Sequence, residues 1–139
     1  MTRNISPYMI HNPVSVSTSV SLTHILQKMQ SESVSHLIVK NEHQDMVGII
    51  SKADLLVKMQ SLSASTSGKS YTSKIMESVK AKDVMVTSII SLKKDDPIEY
   101  ATELLLQKQF HCLPVVEDNK AVGIITFYDL LKAYYEETI

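Results

Sequence analysis

Apolar and polar residues alternate in Val14-Ser15-Val16 and again in Ile90-Ser91-Leu92, the period of a short strand with one buried face. Each stretch is followed by apolar residues at helical spacing. These are Leu22, Ile25, Leu26 and Met29 in the first instance, and Ile98, Ala101, Leu104 and Leu105 in the second, a pattern that predicts an amphipathic helix. Ser21 and Asp96 stand where N-caps belong, and Pro97 suits a first helical turn. Two apolar runs then flank a polar turn: His36–Val39 and Met46–Ile50 in one place, Cys112–Val116 and Ala121–Ile125 in the other. Such pairs predict hairpins. Lys52–Met59 and Phe127–Tyr135 read as closing helices.

The pattern is a duplication, and repeats decide architecture before any other feature does. Val47-Gly48-Ile49-Ile50-Ser51 and Val122-Gly123-Ile124-Ile125-Thr126 align at an offset of 75, each followed two residues later by Asp-Leu-Leu. Upstream the offset is 76: Leu37 and Val39 match Leu113 and Val115, Leu22 matches Ile98, Met29 matches Leu105, and Val14 and Val16 match Ile90 and Leu92. The one-residue shift falls in the polar stretch Asn41–Asp45, which shortens to Glu117–Lys120, as expected of a turn. Each copy runs strand, helix, strand, strand, helix. The first strand, helix and second strand form a crossover unit, expected to be right-handed.

These positions divide the chain into a first repeat at 1–60, a Ser-rich linker at 61–80 with a short helix over Lys74–Val79, and a second repeat at 81–139. A single copy of about 55 residues is marginal alone. Two copies covering each other across a pseudo-twofold axis give an α/β (α+β) fold that is expected to behave as one cooperative unit.

Composition narrows the functional classes. Hydrophobic residues make up 44% of the 139 and charged residues 21%, which is globular. A net charge of -1, from 14 basic and 15 acidic residues, advertises no polyanion partner and leaves only a localised basic patch open, so no nucleic-acid partner is expected. Cys112 is the only cysteine, which excludes an intrachain disulfide and suits a reducing cytoplasm. The N-terminal residues lack a signal-peptide core, and no apolar run approaches the roughly 20 residues needed to cross a bilayer. Direct membrane insertion is not expected. The five histidines are scattered without a metal-ligand spacing. No catalytic triad order, H-E-x-x-H or Gly-rich phosphate loop is present among only three glycines, so the chain reads as a non-enzyme without a required cofactor. Gly48 and Gly123 lie inside strands, where they permit close approach of a backbone or ligand.

The duplicated unit resembles the cystathionine β-synthase (CBS) domain, which occurs in tandem as the Bateman module. The resemblance is carried by Leu113-Pro114-Val115-Val116, the acidic turn after it, the V-G-I-I-[ST] strand and the [ST]-x-x-D-L start of the last helix. It covers the chain from about Tyr8 to Tyr135. It implies a stand-alone regulatory module, a homodimer, a regulated partner protein still to be identified, and an adenosyl ligand such as AMP, ADP, ATP or S-adenosylmethionine between the repeats.

The chemistry of such a site rests on Ser51-x-x-Asp54 and Thr126-x-x-Asp129. Each lies where a strand passes into a helix N-terminus, whose unpaired N–H groups favour an anion. A hydroxyl adds a donor to phosphate, and an ionised Asp accepts from ribose hydroxyls. The resemblance implies that Ile90, Phe110, His111, Cys112, Pro114 and Ile124 wall the adenine slot of the second repeat, with Tyr128 beside the ribose. The corresponding first-repeat residues are Val14, Val34, Ser35, His36, Ile38, Ile49 and Ala53. Two departures from the family pattern favour the second repeat and a monophosphate or adenosine-like ligand over ATP. Phe127 and Tyr128 stand where many members carry a cation, and Ile38 replaces the proline, with Lys40 after the strand. Lys52 offers charge in the first repeat. The competing reading is local: Ser or Thr with an acid three residues on is also a capping box, and the chain is then a ligand-free dimerisation or docking module with vestigial clefts.

Overall fold

The computed structural model describes residues 3–64, 69–108 and 110–138. The elements run β1 (Ile10–His11), β2 (Ser15–Ser17), α1 (Leu22–Glu32), β3 (His36–Lys40), β4 (Met46–Ser51), α2 (Lys52–Ala64), α3 (Lys69–Ser78), α4 (Ala81–Val84), α5 (Ile98–Lys108), β5 (Cys112–Glu117), β6 (Lys120–Thr126) and α6 (Phe127–Thr138). They form two compact units. One is Val14–Ser88; the other joins the described residues of Met1–Pro13 to those of Ile89–Ile139.

In the unit Val14–Ser88, β2 pairs parallel with β3, and β3 pairs antiparallel with β4. Helix α1 makes the crossover. Ser21 caps it, its Oγ accepting from the His24 N–H at 3.2 Å, and Ser33 ends it in the left-handed region at φ 54°. Leu22, Ile25 and Met29 bury one face of α1 against Leu37, Val39 and Ile50 of the sheet. The second unit repeats the hairpin and its helices: β5 and β6 pair antiparallel, and Leu113, Val115 and Ile125 pack on Ile98, Ala101 and Leu105 of α5 and Leu130 and Ala133 of α6. The offset shift does lie in the hairpin turns. Asn41 Oδ1 gathers the N–H groups of His43 and Asp45 in the longer one. The shorter is two residues, Asp118 and Asn119, both at positive φ, the conformation that short Asx side chains tolerate and a tight hairpin requires.

Several expectations need correction. The strand Ile90–Leu92 is reduced to one parallel bridge, Leu92 to Val115. In the first unit the Ile38 N–H donates to the Val14 carbonyl at 3.0 Å; the matching residue, Pro114, has no N–H to give, and the ladder shortens. Asp96 does not cap α5. Its Oδ2 accepts from the Lys93 N–H at 2.8 Å, closing the preceding turn, while the Ile98 N–H donates to the Arg3 carbonyl at 3.0 Å. The stretch 61–80 is more helical than its serine content suggests, with α2 running to Ala64 and α3 spanning Lys69–Ser78.

The packing also draws a different line from the repeat boundaries. Residues 3–13 open the first repeat yet join the second unit, where Ile10 and His11 pair with Ile124 and Gly123. Val86, near the start of the second repeat, bridges to Ile49 in the first unit. Both glycines mark these crossings. A Cβ on Gly123 would lie 2.5 Å from Met9 Sδ and 3.1 Å from the Ile10 carbonyl oxygen; one on Gly48 would lie 2.5 Å from Met85 Sδ and 2.9 Å from Met85 Cβ. Among the described residues no helix is long and apolar enough to cross a membrane.

Candidate functional site

The hairpin registers sort the candidate residues by sheet face, because directly paired residues share a face. Cys112 pairs with Thr126, and Pro114 with Ile124. These four alternate with Leu113, Val115 and Ile125 of the helix-side core, so they occupy the opposite face. In the first unit His36 pairs with Ser51, and Ile38 with Ile49, again opposite Leu37, Val39 and Ile50. Eight candidates therefore form two equivalent quartets, one per unit. Cys112, Pro114, Ile124, Ile38 and Ser51 are buried; His36, Ile49 and Thr126 are half-buried.

Each quartet ends at a strand-to-helix corner. At the β6–α6 corner Asp129 is 9% exposed. Its Oδ2 accepts from the Thr126 N–H and from the Thr126 hydroxyl, each at 2.9 Å, and Thr126 Oγ1 accepts from the Asp129 N–H at 3.3 Å. The capping box is thus made in full. At the β4–α2 corner Ser51 Oγ accepts from the Asp54 N–H at 3.1 Å, and Asp54 itself is exposed. The carboxylate of Asp129 uses one oxygen in these contacts. A carboxylate offers about four lone-pair sites, so capping and ribose binding are compatible there.

The remaining candidates lie elsewhere. Ile90 and Phe110 are half-buried against the helix-side core, and Val14 and Val34 likewise in the first unit. His111, Ser35 and Ala53 are exposed; the Ser35 carbonyl accepts from the Lys52 N–H at 2.8 Å, which fixes the start of α2. Tyr128 is 72% exposed and faces outward on α6, where it lines a shallow groove of about 400 Å³ with Leu131, Lys132 and Tyr135.

Two residues on the quartet faces escaped the sequence reading. Ile10 pairs with Ile124, which extends the row to Pro114–Ile124–Ile10. Val86 pairs with Ile49, which gives Ile38–Ile49–Val86. Met9-Ile10 and Met85-Val86 are themselves related by the offset of 76, so continuing the repeat alignment upstream of Val14 would have found them. Among the described residues no group of three or more His, Cys, Asp or Glu is placed to hold a metal ion.

A sequence model of the CBS domain matches residues 4–61 and 81–136. An uncharacterised protein of Methanopyrus kandleri is 31% identical over 109 residues, covering 78% of this chain; the chain spans 50% of that relative's length. Among solved structures, CBSX2 in complex with AMP is 26% identical with a TM-score of 0.77, each chain covering 99% of the other. A CBS domain pair in complex with 5′-methylthioadenosine and S-adenosyl-L-methionine shares the fold at a TM-score of 0.77 and 19% identity, again with 99% of each chain covered.

Proposed function

The chain belongs to the CBS domain family, and from that premise we propose that it is a non-catalytic regulatory module whose second-repeat corner holds an adenosyl ligand and passes its occupancy to a partner protein. The observation that carries this reading is the β6–α6 corner: a buried Asp129 with an acceptor oxygen to spare, at a helix N-terminus, beside an apolar row of Pro114 and Ile124. Base, sugar and phosphate each meet a suitable surface there. The AMP complex of CBSX2, which shares this fold over 99% of each chain at 26% identity, supports the ligand class.

The second repeat is the favoured site for a physical reason. In the first, the Ile38 N–H occupies the Val14 carbonyl. Pro114 supplies no equivalent donor to Ile90, whose carbonyl is then available to an amino group on a base. Phe127 and Tyr128 add no charge at the corner, which favours AMP or an adenosine derivative over ATP or ADP. Lys52 gives the first-repeat corner its own charge. Regulation requires that the ligand bind two states of the protein unequally.

The full capping box at Thr126 and Asp129 favours a second reading, a ligand-free dimerisation or docking module. Titration calorimetry with AMP, ADP, ATP, NAD and S-adenosylmethionine separates the two. Heat with an adenosyl ligand, abolished in Asp129→Ala, supports the sensor; no heat and no melting shift with any of them supports the docking module. In either case a second copy of the chain is the proposed occupant of the α6 stripe Tyr128, Leu131 and Tyr135, all more than half exposed. The lone Cys112 suits a cytoplasmic setting.

A further inference from the structure

The row Pro114–Ile124–Ile10 draws its third member from the opening segment of the first repeat, although its other two belong to the second. That segment is fastened to the second unit at both of its ends. Arg3 Nη1 donates to the Ala133 carbonyl at 3.1 Å and to the Tyr8 hydroxyl at 2.7 Å, and Nη2 donates to Glu137 Oε2 at 2.9 Å. Ile5 is fully buried in the core of the unit. Helix α6 is thereby held at its start by the Thr126–Asp129 box and near its end by Arg3. Between these anchors Ile10 lies beside Ile124 on the quartet face, yet 48% exposed. A half-covered isoleucine next to a buried one is a surface that a planar apolar group can complete.

We propose that Ile10 is a wall of the second-repeat slot and that residues 3–13 form a strap whose seating is linked to occupancy of that slot. This rests on the adenosyl-binding reading above and adds a regulatory element to it. A base lying along Pro114, Ile124 and Ile10 buries the Ile10 side chain, and so binds the seated strap more tightly than the released one. By linkage the ligand then stabilises the strap to the extent that the strap strengthens binding. Arg3 acts as a positioning residue: it touches α6, not the slot.

The test measures AMP affinity by calorimetry together with amide hydrogen exchange at Ile10, His11 and Asn12, in the wild type, Ile10→Ala and Arg3→Ala. AMP is expected to slow exchange at these amides in the wild type. Ile10→Ala, at a half-exposed position that spares the core, is expected to weaken AMP binding about fivefold and to shrink the AMP-dependent slowing. Arg3→Ala is expected to speed exchange without ligand and to weaken AMP binding, with Asp129 untouched. A merely structural Arg3 would shift the melting temperature and leave the AMP-dependent change in exchange as it is. If the wild type binds AMP while exchange at the strap is indifferent to it and Ile10→Ala binds as well as the wild type, the strap is not part of the site and the inference is overturned with the sensor reading intact. No heat from AMP or S-adenosylmethionine in the wild type overturns both.

Discussion

Asp129 takes both hydrogen bonds that Thr126 can donate on a single oxygen, Oδ2, and returns its own N–H to the Thr126 hydroxyl. The matching pair in the first repeat is one-sided: Ser51 accepts from the Asp54 N–H, and the Asp54 carboxylate stands in solvent. The duplication has kept the residue types and let their roles diverge.

The divergence sets an order of stabilities. Asp129→Ala leaves the Thr126 N–H without its acceptor in a part-buried place, which costs about 1–3 kcal/mol. Ser51→Ala removes an N-cap, at about 1 kcal/mol. Asp54→Ala keeps the backbone N–H that Ser51 accepts and stays within about 0.5 kcal/mol of the wild type. Urea unfolding of the three variants checks the order; equal losses at Asp54 and Asp129 would contradict it.

Glycine at 48 and 123 is a matter of room. The Cβ of an alanine at either site collides with a methionine, and the collisions differ in kind. At Gly48 the obstacle includes Met85 Cβ at 2.9 Å, an atom fixed to the backbone. At Gly123 the nearest atoms are the thioether end of Met9, with the Ile10 carbonyl at 3.1 Å, and a methionine end can swing away. Both variants are expected to lose about 1–3 kcal/mol, the usual range for overpacking, with Gly48→Ala the worse. Chemical denaturation measures both, and a stable Gly48→Ala would show that Met85 moves freely.

Much of this architecture was legible in the residues. The 3.6-residue period of Leu22, Ile25 and Met29 and the paired hairpin runs sufficed for α1 and both hairpins, because burial against one core imposes those periods. Ser51 and Thr126 were legible as corner residues for the same reason: a strand ends and a helix begins there. The strap was not. Ile10 and His11 form a two-residue strand whose partner is more than a hundred residues away, and no local period encodes a pairing of that kind. The loss of the strand at Ile90 was equally hidden, since its cause, the missing N–H of Pro114, sits on the neighbouring strand. The exposure of Tyr128 was not legible either, because a helix start places its residues on several faces and only the register of α6 decides which one turns outward.

The outward register of α6 carries its own consequence. Tyr128, Leu131 and Tyr135 lie along one stripe, and α2 of the first repeat shows Leu56 and Val57, both also more than half exposed. With a second copy of the chain on these stripes, Leu131→Asp is expected to convert a dimer to a monomer in sedimentation velocity and to remove the concentration dependence of melting. Leu131 is 69% exposed, so the variant has no core contact to lose. A wild type that sediments as a monomer at all concentrations would leave the stripe without this partner.

Pro114 offers the sharpest test of why one repeat rather than the other should take the ligand. Restoring an N–H there, in Pro114→Ile, recreates the residue of the first repeat and lets it donate to the Ile90 carbonyl as Ile38 donates to Val14. The expected structural result is a longer ladder, seen as a protected amide at residue 114 and slower exchange at Leu92. The expected functional result is the opposite of a gain. A carbonyl already engaged by the residue 114 N–H is a weaker and more crowded acceptor for the amino group of a base, and weakening that hydrogen bond in a part-buried site lowers affinity by up to about tenfold. Protection and affinity should therefore move in opposite directions in the same variant. A variant with a protected amide at 114 and undiminished AMP binding would mean that the base is held by the apolar row alone, and that the proline serves shape rather than hydrogen bonding.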